Sequence, residues 1–180
     1  YNALAKDITG LLIAVGGSGS VLSSADNGLT WDSQTSGVAN SLISAFFGGG
    51  IFLVGSTGND LLTSTDGVTW IPQSSPFSSG ADITAFDYNG SDTFVATAVR
   101  PAIATSADCG SWALKTYAGI FTPNSVAYGN GVFITVANGG EITRSINNGV
   151  TWGLVTSSIT ANMDTIRYAA DSDTWFAGGR

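Results

Sequence analysis

Residues 24–31 read Ser24-Ala-Asp-Asn-Gly-Leu-Thr-Trp31, and the same pattern returns three more times along the chain. The other copies are Ser64-Thr-Asp-Gly-Val-Thr-Trp70, Ser106-Ala-Asp-Cys-Gly-Ser-Trp112 and Ser145-Ile-Asn-Asn-Gly-Val-Thr-Trp152. Their tryptophans are 39, 42 and 40 residues apart. A fixed period of roughly 20 to 50 residues is the signature of stacked or radially arranged structural units.

A second marker, a short apolar segment, precedes each copy and gives the same period. Its five occurrences align on Leu12, Phe52, Phe94, Phe133 and Trp175, which are spaced 40, 42, 39 and 42 residues apart. The fifth occurrence is not followed by another Ser-to-Trp copy within the 180 residues. The chain therefore contains four full units and the first part of a fifth.

The fourth unit shows most clearly what one unit contains. β-branched and aromatic runs alternate there with turn residues, which predicts strands at 124–129, 132–137, 141–146 and 150–156. The turn at Asn130-Gly131 is the strongest of the hairpin signals, since a type I′ turn needs positive φ at both central positions. No helical period is present. Each unit is therefore predicted to be a four-stranded antiparallel meander.

A meander of about 40 residues repeated along a chain predicts an all-β fold, a β-propeller. The predicted blades are 1–37, 40–76, 82–118 and 124–158, with a partial blade at 164–180. A solenoid is the alternative, although its parallel coils use shorter repeats and lack three hairpin turns per unit. Because an incomplete blade exposes strand edges, we expect more chain or another subunit to supply its missing strands as part of a larger ring.

Composition excludes several classes of function. Only 11% of residues are charged and the net charge is −7, with six scattered basic residues, so nucleic-acid binding through a basic patch is disfavoured. Histidine is absent, which removes the usual general base and metal ligand. The single cysteine allows no intrachain disulfide, and no apolar run is long enough for a membrane-spanning helix. We expect no metal and no cofactor.

The four copies resemble the Asp-box, or BNR repeat, whose pattern is Ser-x-Asp-x-Gly-x-Thr-Trp. The resemblance implies a β-propeller in which the box closes the hairpin between the third and fourth strands of a blade. Its Asp or Asn would accept hydrogen bonds within the turn, its Gly would adopt a left-handed conformation, and its Trp would pack between sheets. The residues assigned to this structural role are Ser24, Asp26, Gly28, Trp31, Ser64, Asp66, Gly67, Trp70, Ser106, Asp108, Gly110, Trp112, Ser145, Asn147, Gly149 and Trp152.

The extended repeat, including the segment from Tyr128 to Ala137, is similar to propeller repeats of phage tail and fibre proteins, bacterial surface proteins, sialidases and photosystem assembly factors. This resemblance, together with the Gly-, Ser- and Thr-rich composition, favours a non-enzymatic structural or adhesive module of a phage tail, fibre or other virion component. Expected partners are other subunits of a larger assembly and surface glycans, in a virion or at a cell surface. The alternatives are a carbohydrate-binding or sialidase-like propeller and an intracellular assembly factor.

A sialidase would need three arginines, a Tyr-Glu nucleophile pair and an acid-base Asp, as that resemblance implies. The only glutamate is Glu141, and the remaining candidates are Arg100, Arg144, Arg167 and Tyr168. These do not form a recognisable constellation, so no catalytic residue is assigned and the ligand-binding residues are unknown.

Three further motifs have simpler structural interpretations. Asn89-Gly90-Ser91 fits the glycosylation pattern but is also a hairpin turn. The Gly-rich segment 16–20 is not followed by Lys or a helix, which favours a hairpin loop over a phosphate-binding loop. Cys109 has no histidine partner in the sequence and is not expected to act as a nucleophile.

Overall fold

The computed structural model describes every residue from Tyr1 to Arg180. Its regular structure consists of short strands joined by tight turns. Helix is limited to three 3-10 turns of three residues each, at Gly17–Gly19, Asn138–Gly140 and Ala170–Ser172. None of these is long or apolar enough to cross a membrane. The all-β prediction is confirmed.

The strands form successive sheets in which strand order follows chain order. The first sheet contains β1 (Ala3–Lys6), β2 (Leu12–Val15), β3 (Ser20–Ser24) and β4 (Asp32–Thr35). The second contains β5 (Leu42–Gly48), β6 (Ile51–Ser56), β7 (Leu61–Ser64) and β8 (Ile71–Gln73). The third contains β9 (Ile83–Tyr88), β10 (Phe94–Ala98), β11 (Ala102–Ser106) and β12 (Trp112–Leu114).

The fourth sheet has one strand more than predicted. Between the third and fourth meanders lies β13 (Thr116–Tyr117). The fourth meander contains β14 (Pro123–Gly129), β15 (Val132–Ala137), β16 (Ile142–Ser145) and β17 (Thr151–Val155). The short β13 pairs in parallel with β17, placing Tyr117 opposite Trp152. The end of the predicted third blade thus joins the edge of the fourth sheet.

The chain finishes with a hairpin, β18 (Met163–Ala169) and β19 (Thr174–Gly179), which pair only with each other. The molecule thus has the predicted β-propeller fold, with four full blades and the first two strands of a fifth. The solenoid alternative does not fit, because the strands pair antiparallel within each repeat rather than in parallel between repeats.

The local turn signals place the strands accurately. Asn130 and Gly131 have φ values of 47° and 79°, as a type I′ turn requires. Asn89 is a turn residue, because its side-chain oxygen accepts backbone N–H bonds from Ser91, Asp92 and Thr93. The Gly-rich segment 16–20 joins β2 to β3 through a 3-10 turn.

Tertiary contacts divide the chain into two compact units, residues 1–83 and 84–180. Within each unit, neighbouring sheets pack face to face. The core of the first unit combines sheets one and two through Ala5, Ile13, Val15, Val21, Leu42, Phe52, Val54, Leu62 and Trp70. In the second unit, sheets three and four meet at Val95, Ile103, Val126, Phe133 and Trp152. A further cluster joins the fourth sheet to β18 through Ala127, Val136, Met163 and Ile166.

Candidate functional site

The four Ser-to-Trp segments, called box turns from here on, have one hydrogen-bond scheme. In the first, the Ser24 hydroxyl donates to the Asp26 carboxylate at 2.8 Å and accepts the Gly28 N–H at 2.9 Å. The Asp26 carboxylate also accepts from the Thr30 hydroxyl and backbone N–H, and these bonds lower its pKa to about 2. The hydrogen bonds that the carboxylate accepts thus stabilise the turn.

The other three turns use the same atoms. Backbone N–H donors, chiefly that of Thr69, lower the pKa of Asp66 to about 2 as well. Asn147 takes the place of Asp in the last turn, where its side-chain oxygen accepts from the Thr151 N–H at 3.0 Å. An amide oxygen supports the turn without a charge. The structure contains no group of three or more His, Cys, Asp or Glu side chains placed to hold a metal ion.

The third turn requires one correction to the sequence alignment. Cys109, not Gly110, occupies the left-handed position equivalent to Gly67, with φ values of 61° and 68°. The Cys109 N–H donates to the Ser106 hydroxyl as the Gly67 N–H does to Ser64. The second and third box turns are each one residue short, and both lack the residue before the left-handed position. Aligning Gly110 with the box glycine therefore placed the gap of the third turn wrongly, before Trp112. Burial raises the pKa of the Cys109 thiol to about 12, which disfavours the nucleophilic thiolate.

The box tryptophans differ in burial. Trp152 and Trp70 are 3% and 8% exposed and belong to the cores between sheets, whereas Trp31 and Trp112 are half-buried. Three of the four indole N–H groups donate to the carbonyl oxygen three residues earlier, those of Gly28, Cys109 and Gly149. The fully buried rings leave no face for stacking on a sugar.

The residues considered for sialidase chemistry make other contacts. Glu141 accepts the Ile120 and Phe121 N–H groups at 2.9 and 3.2 Å, and the Tyr117 hydroxyl at 3.2 Å. Burial and the Glu141 charge raise the pKa of Tyr117. Tyr168 donates its hydroxyl to Asp173 at 2.6 Å. Glu141 thus holds the loop after β13 to the start of β16.

A different feature, an open groove on the fourth sheet, is a candidate binding site. Residues alternate along β15 and β16, so Thr135 and Thr143 face the third sheet, where their hydroxyls bond at 2.7 Å. Ile134 and Ile142 lie on the opposite face. The hairpin β18–β19 covers the inner part of that face only, because it supplies just two strands.

This fourth-sheet groove has a volume of about 560 Å³. Its walls are largely apolar, and its lining residues are Asn130, Val132, Ile134, Val136, Ile142, Arg144, Val155, Ile166, Trp175 and Ala177. A smaller recess of about 330 Å³ adjoins it and shares Arg144 and Val155. Val155 is 39% exposed and Ile146, in the recess, is 71% exposed. Apolar surface therefore continues from the groove over the outer strand.

Arg144 is the charged side chain of the groove. It is exposed and opposes Gly153 in the register of β16 and β17. Arg180 pairs with Asp164 at 3.9 Å, whereas Arg144 takes part in no ion pair with a carboxylate within 4 Å. A guanidinium surrounded by isoleucine and valine keeps its five N–H donors available to a ligand.

Sequence reasoning named Arg144 only as a sialidase candidate and missed the groove residues Ile134, Ile142, Val155 and Trp175. One signal was present, in the residue that precedes each box serine. It is Ser23, Thr63 and Thr105 in the first three units and Arg144 in the fourth. Arg144 is thus a departure from the repeat that the sequence alone shows.

Comparisons with known proteins support the fold and identify no family. No protein-family model matches the chain. No curated protein matches it either. Among solved structures, 455 chains match, so the fold is common and by itself leaves the function open.

Two of these structures are of YCF48. The structure described as YCF48 bound to D1 peptide has a TM-score of 0.72 at 15% identity, over 93% of this chain and 56% of that one. The structure of YCF48 from Cyanidioschyzon merolae has a TM-score of 0.69 at 18% identity, over 93% and 60%. This chain thus spans less than two thirds of both, and what it shares with them is the fold of a β-propeller.

Proposed function

We propose that this chain is a non-enzymatic β-propeller module that binds a segment of a partner protein, as an assembly factor does. The observation that carries the proposal is the fourth-sheet groove, an open apolar surface with a single cation. Contiguous exposed apolar surface rimmed by polar residues is typical of protein-binding sites. Burial of Ile134, Ile142 and Val155 against a partner segment would supply the favourable free energy.

The comparison with solved structures supports a protein partner. One similar propeller is described as bound to a peptide. At 15% identity the similarity extends to the fold alone, so peptide binding is carried over to this chain as a proposal. The expectation of a phage tail or virion component finds no support in these structures, and neither do surface glycans as partners.

The chemistry of the remaining candidates supports a non-enzymatic role. Glu141 already accepts three hydrogen bonds, two from the loop after β13 and one from Tyr117. The hydrogen bond from Tyr168 to Asp173 raises the pKa of Tyr168, which disfavours the phenolate that a nucleophile would need. We expect no turnover of a fluorogenic sialoside by the 180-residue chain. Turnover that the Glu141→Gln variant lost would contradict the proposal.

Selection of peptides from a displayed random library tests the binding function directly. The 180-residue chain should enrich apolar peptides, and the Val155→Gln variant should bind them about fivefold more weakly. Glutamine suits this position, since Gln34 and Gln73 oppose Val21 and Leu61 as Val155 opposes Ile142.

The matched control is Leu114→Gln, which changes an equally apolar side chain, 58% exposed, on β12 of the third sheet. Its affinity for the selected peptides should equal that of the unmodified chain. Failure to enrich any peptide, or equal weakening by both variants, would contradict binding in the groove.

A further inference from the structure

Five Asn-Gly pairs lie in turns of this molecule, and such pairs can lose ammonia spontaneously. The asparagines are Asn27, Asn89, Asn130, Asn138 and Asn148. The backbone nitrogen of the glycine, which no side chain shields, loses its proton and attacks the side-chain carbonyl carbon of the asparagine. The side-chain nitrogen leaves as ammonia, and water opens the cyclic imide to aspartate or isoaspartate. The reaction therefore needs a glycine N–H free to lose its proton and an asparagine side chain free to turn towards it.

Hydrogen bonds occupy the glycine N–H in three of the five pairs. The acceptors are the Ser24 hydroxyl for Gly28, the Ser145 hydroxyl for Gly149 and the Asn162 side-chain oxygen for Gly139, at 2.9, 2.9 and 3.0 Å. An N–H that donates a hydrogen bond is harder to deprotonate, because the bond has to break first. The fold therefore protects these three pairs.

In the pair Asn89-Gly90 the fold holds the side chain instead. The side-chain oxygen of Asn89 accepts the N–H groups of Ser91, Asp92 and Thr93, and its Nδ2 donates to the Asp92 carboxylate at 2.9 Å. Rotation of the Asn89 side chain towards Gly90 would break all four bonds. This pair is protected as well.

Asn130-Gly131 has neither protection. Both residues are exposed at the tip of the β14–β15 hairpin, where Gly129 pairs with Val132 and the Gly131 N–H donates no hydrogen bond. A Cβ atom added at Gly131 would meet no atom within 4 Å, so the turn is open to solvent. The one hydrogen bond of the Asn130 side chain runs from Nδ2 to Asp173 Oδ1, at 3.2 Å. Of the five pairs, this one alone meets both requirements of the reaction.

We propose that Asn130 is a deamidation site of the folded chain, and that its new carboxylate releases the turn between β18 and β19 from the fourth sheet. Before the reaction, the Asn130 amide donates to Asp173, which lies in that turn. After it, two carboxylates face each other, and repulsion replaces the hydrogen bond. Asp173 keeps its second donor, the Tyr168 hydroxyl of β18 at 2.6 Å. The modification therefore loosens the contact between two turns and leaves the β18–β19 hairpin itself intact.

Incubation of the 180-residue chain in mildly alkaline buffer, followed by tryptic digestion and mass spectrometry, tests the site. Residues 116–144 form one tryptic peptide that contains both Asn130 and the protected Asn138. Fragmentation of this peptide should show deamidation about tenfold faster at Asn130 than at Asn138, since one hydrogen bond of ordinary net strength corresponds to about that factor. In urea the two sites should react at similar rates, because the fold no longer protects either.

A gain of reactivity at another pair tests the role of the hydrogen bond. Ser24→Ala removes the acceptor of the Gly28 N–H, while the bonds between Asp26 and Thr30 still hold that turn. Asn27 should then deamidate at a rate near that of Asn130. An inert Asn27 in this variant, equal rates at Asn130 and Asn138 in the folded chain, or no reaction at Asn130 until the chain is unfolded would overturn the assignment of the site.

Asn130→Asp carries the modified side chain from the start and tests the consequence. Amide exchange in the turn between β18 and β19 should be about two- to fivefold faster than in the unmodified chain. Asn148→Asp adds the same charge at an exposed position of a box turn and should leave that exchange unchanged. Unchanged exchange in Asn130→Asp, or equal acceleration by both variants, would overturn the release of the turn.

Discussion

Asp87 is a carboxyl whose ionisation depends on the packing of β9 against β14. Its carboxylate accepts the N–H of Tyr128 at 2.6 Å and that of Tyr88 at 2.8 Å. Burial opposes the charged form and raises the pKa to about 6, although these N–H donors and Arg167 act in the opposite direction. No sequence motif marks this residue, because its environment is set by strands about 40 residues apart in the repeat.

The raised pKa of Asp87 predicts a specific pH dependence of stability. Its folded-state pKa of about 6 is above the ordinary value of 3.8 for an aspartate, so the protonated form favours folding. The stabilisation that comes from protonated Asp87 should be complete below about pH 4 and should fall by about 2 kcal/mol between pH 4 and pH 6. Urea unfolding from pH 4 to 7 measures this, and Asp87→Asn should remove the slope. A slope that persists in Asp87→Asn would assign it to another group.

The burial of the box tryptophans predicts unequal effects of truncation. Trp152→Ala should destabilise the chain by about 3 to 5 kcal/mol, because it opens a cavity between the third and fourth sheets. Trp31 is half-buried, so Trp31→Ala should cost about 1 to 2 kcal/mol. Denaturant titration measures both. A loss below about 1 kcal/mol for Trp152→Ala would show that its ring is not part of the core.

At the scale of elements, the hydrogen bonds of a box turn all form between residues of the turn itself, which explains why the sequence reveals it so clearly. Its serine, aspartate and glycine form hydrogen bonds within a segment of eight residues, so the sequence pattern does not depend on the rest of the chain. The strand bounds of the fourth meander follow for the same reason, since turns at Asn130 and Asn147 fix where strands begin. The placement of Cys109 could not be read this way, because cysteine rarely adopts a left-handed conformation and the adjacent Gly110 is the residue type expected there.

Close packing of box turns predicts different tolerance at two glycines. Gly149→Ala should cost about 2 to 3 kcal/mol, because its Cβ would meet Thr105 Cγ2 at 2.8 Å in addition to the strain of a φ of 75°. Gly28→Ala has a φ of 86° but a nearest contact at 3.7 Å, so about 1 kcal/mol is expected. Denaturant titration compares the two. Equal losses would mean that the turn of Gly149 does not lie against Thr105.

At the scale of the whole molecule, the repeats predicted the fold, whereas the groove could not be predicted from them. A repeat indicates which face of each sheet is apolar, but whether that face is covered depends on the strands beside it. The inner part of the fourth sheet is covered by β18–β19 and the outer part is open. Arg144 was visible in the sequence as a departure from Ser23, Thr63 and Thr105, but its place in the lining of the groove is shown only by the structure.

The hairpin β18–β19 predicts self-association at high concentration. Its strand β19 pairs only with β18 and carries Phe176, which is 60% exposed. Unpaired strand edges with apolar side chains favour pairing with another strand. Light scattering should show an average mass that rises with concentration, and Phe176→Lys should reduce the rise. A single monomeric mass at all concentrations would contradict this prediction.

Hydrogen exchange of the 180-residue chain, with and without a selected peptide, tests most directly whether the fourth-sheet groove is the protein-binding site. The peptide should slow amide exchange in β16, β17 and β19, which border the groove, and leave the first two sheets unchanged. The Val155→Gln variant should lose this protection. Protection confined to the first two sheets, or none at all while the peptide is bound, would contradict the account.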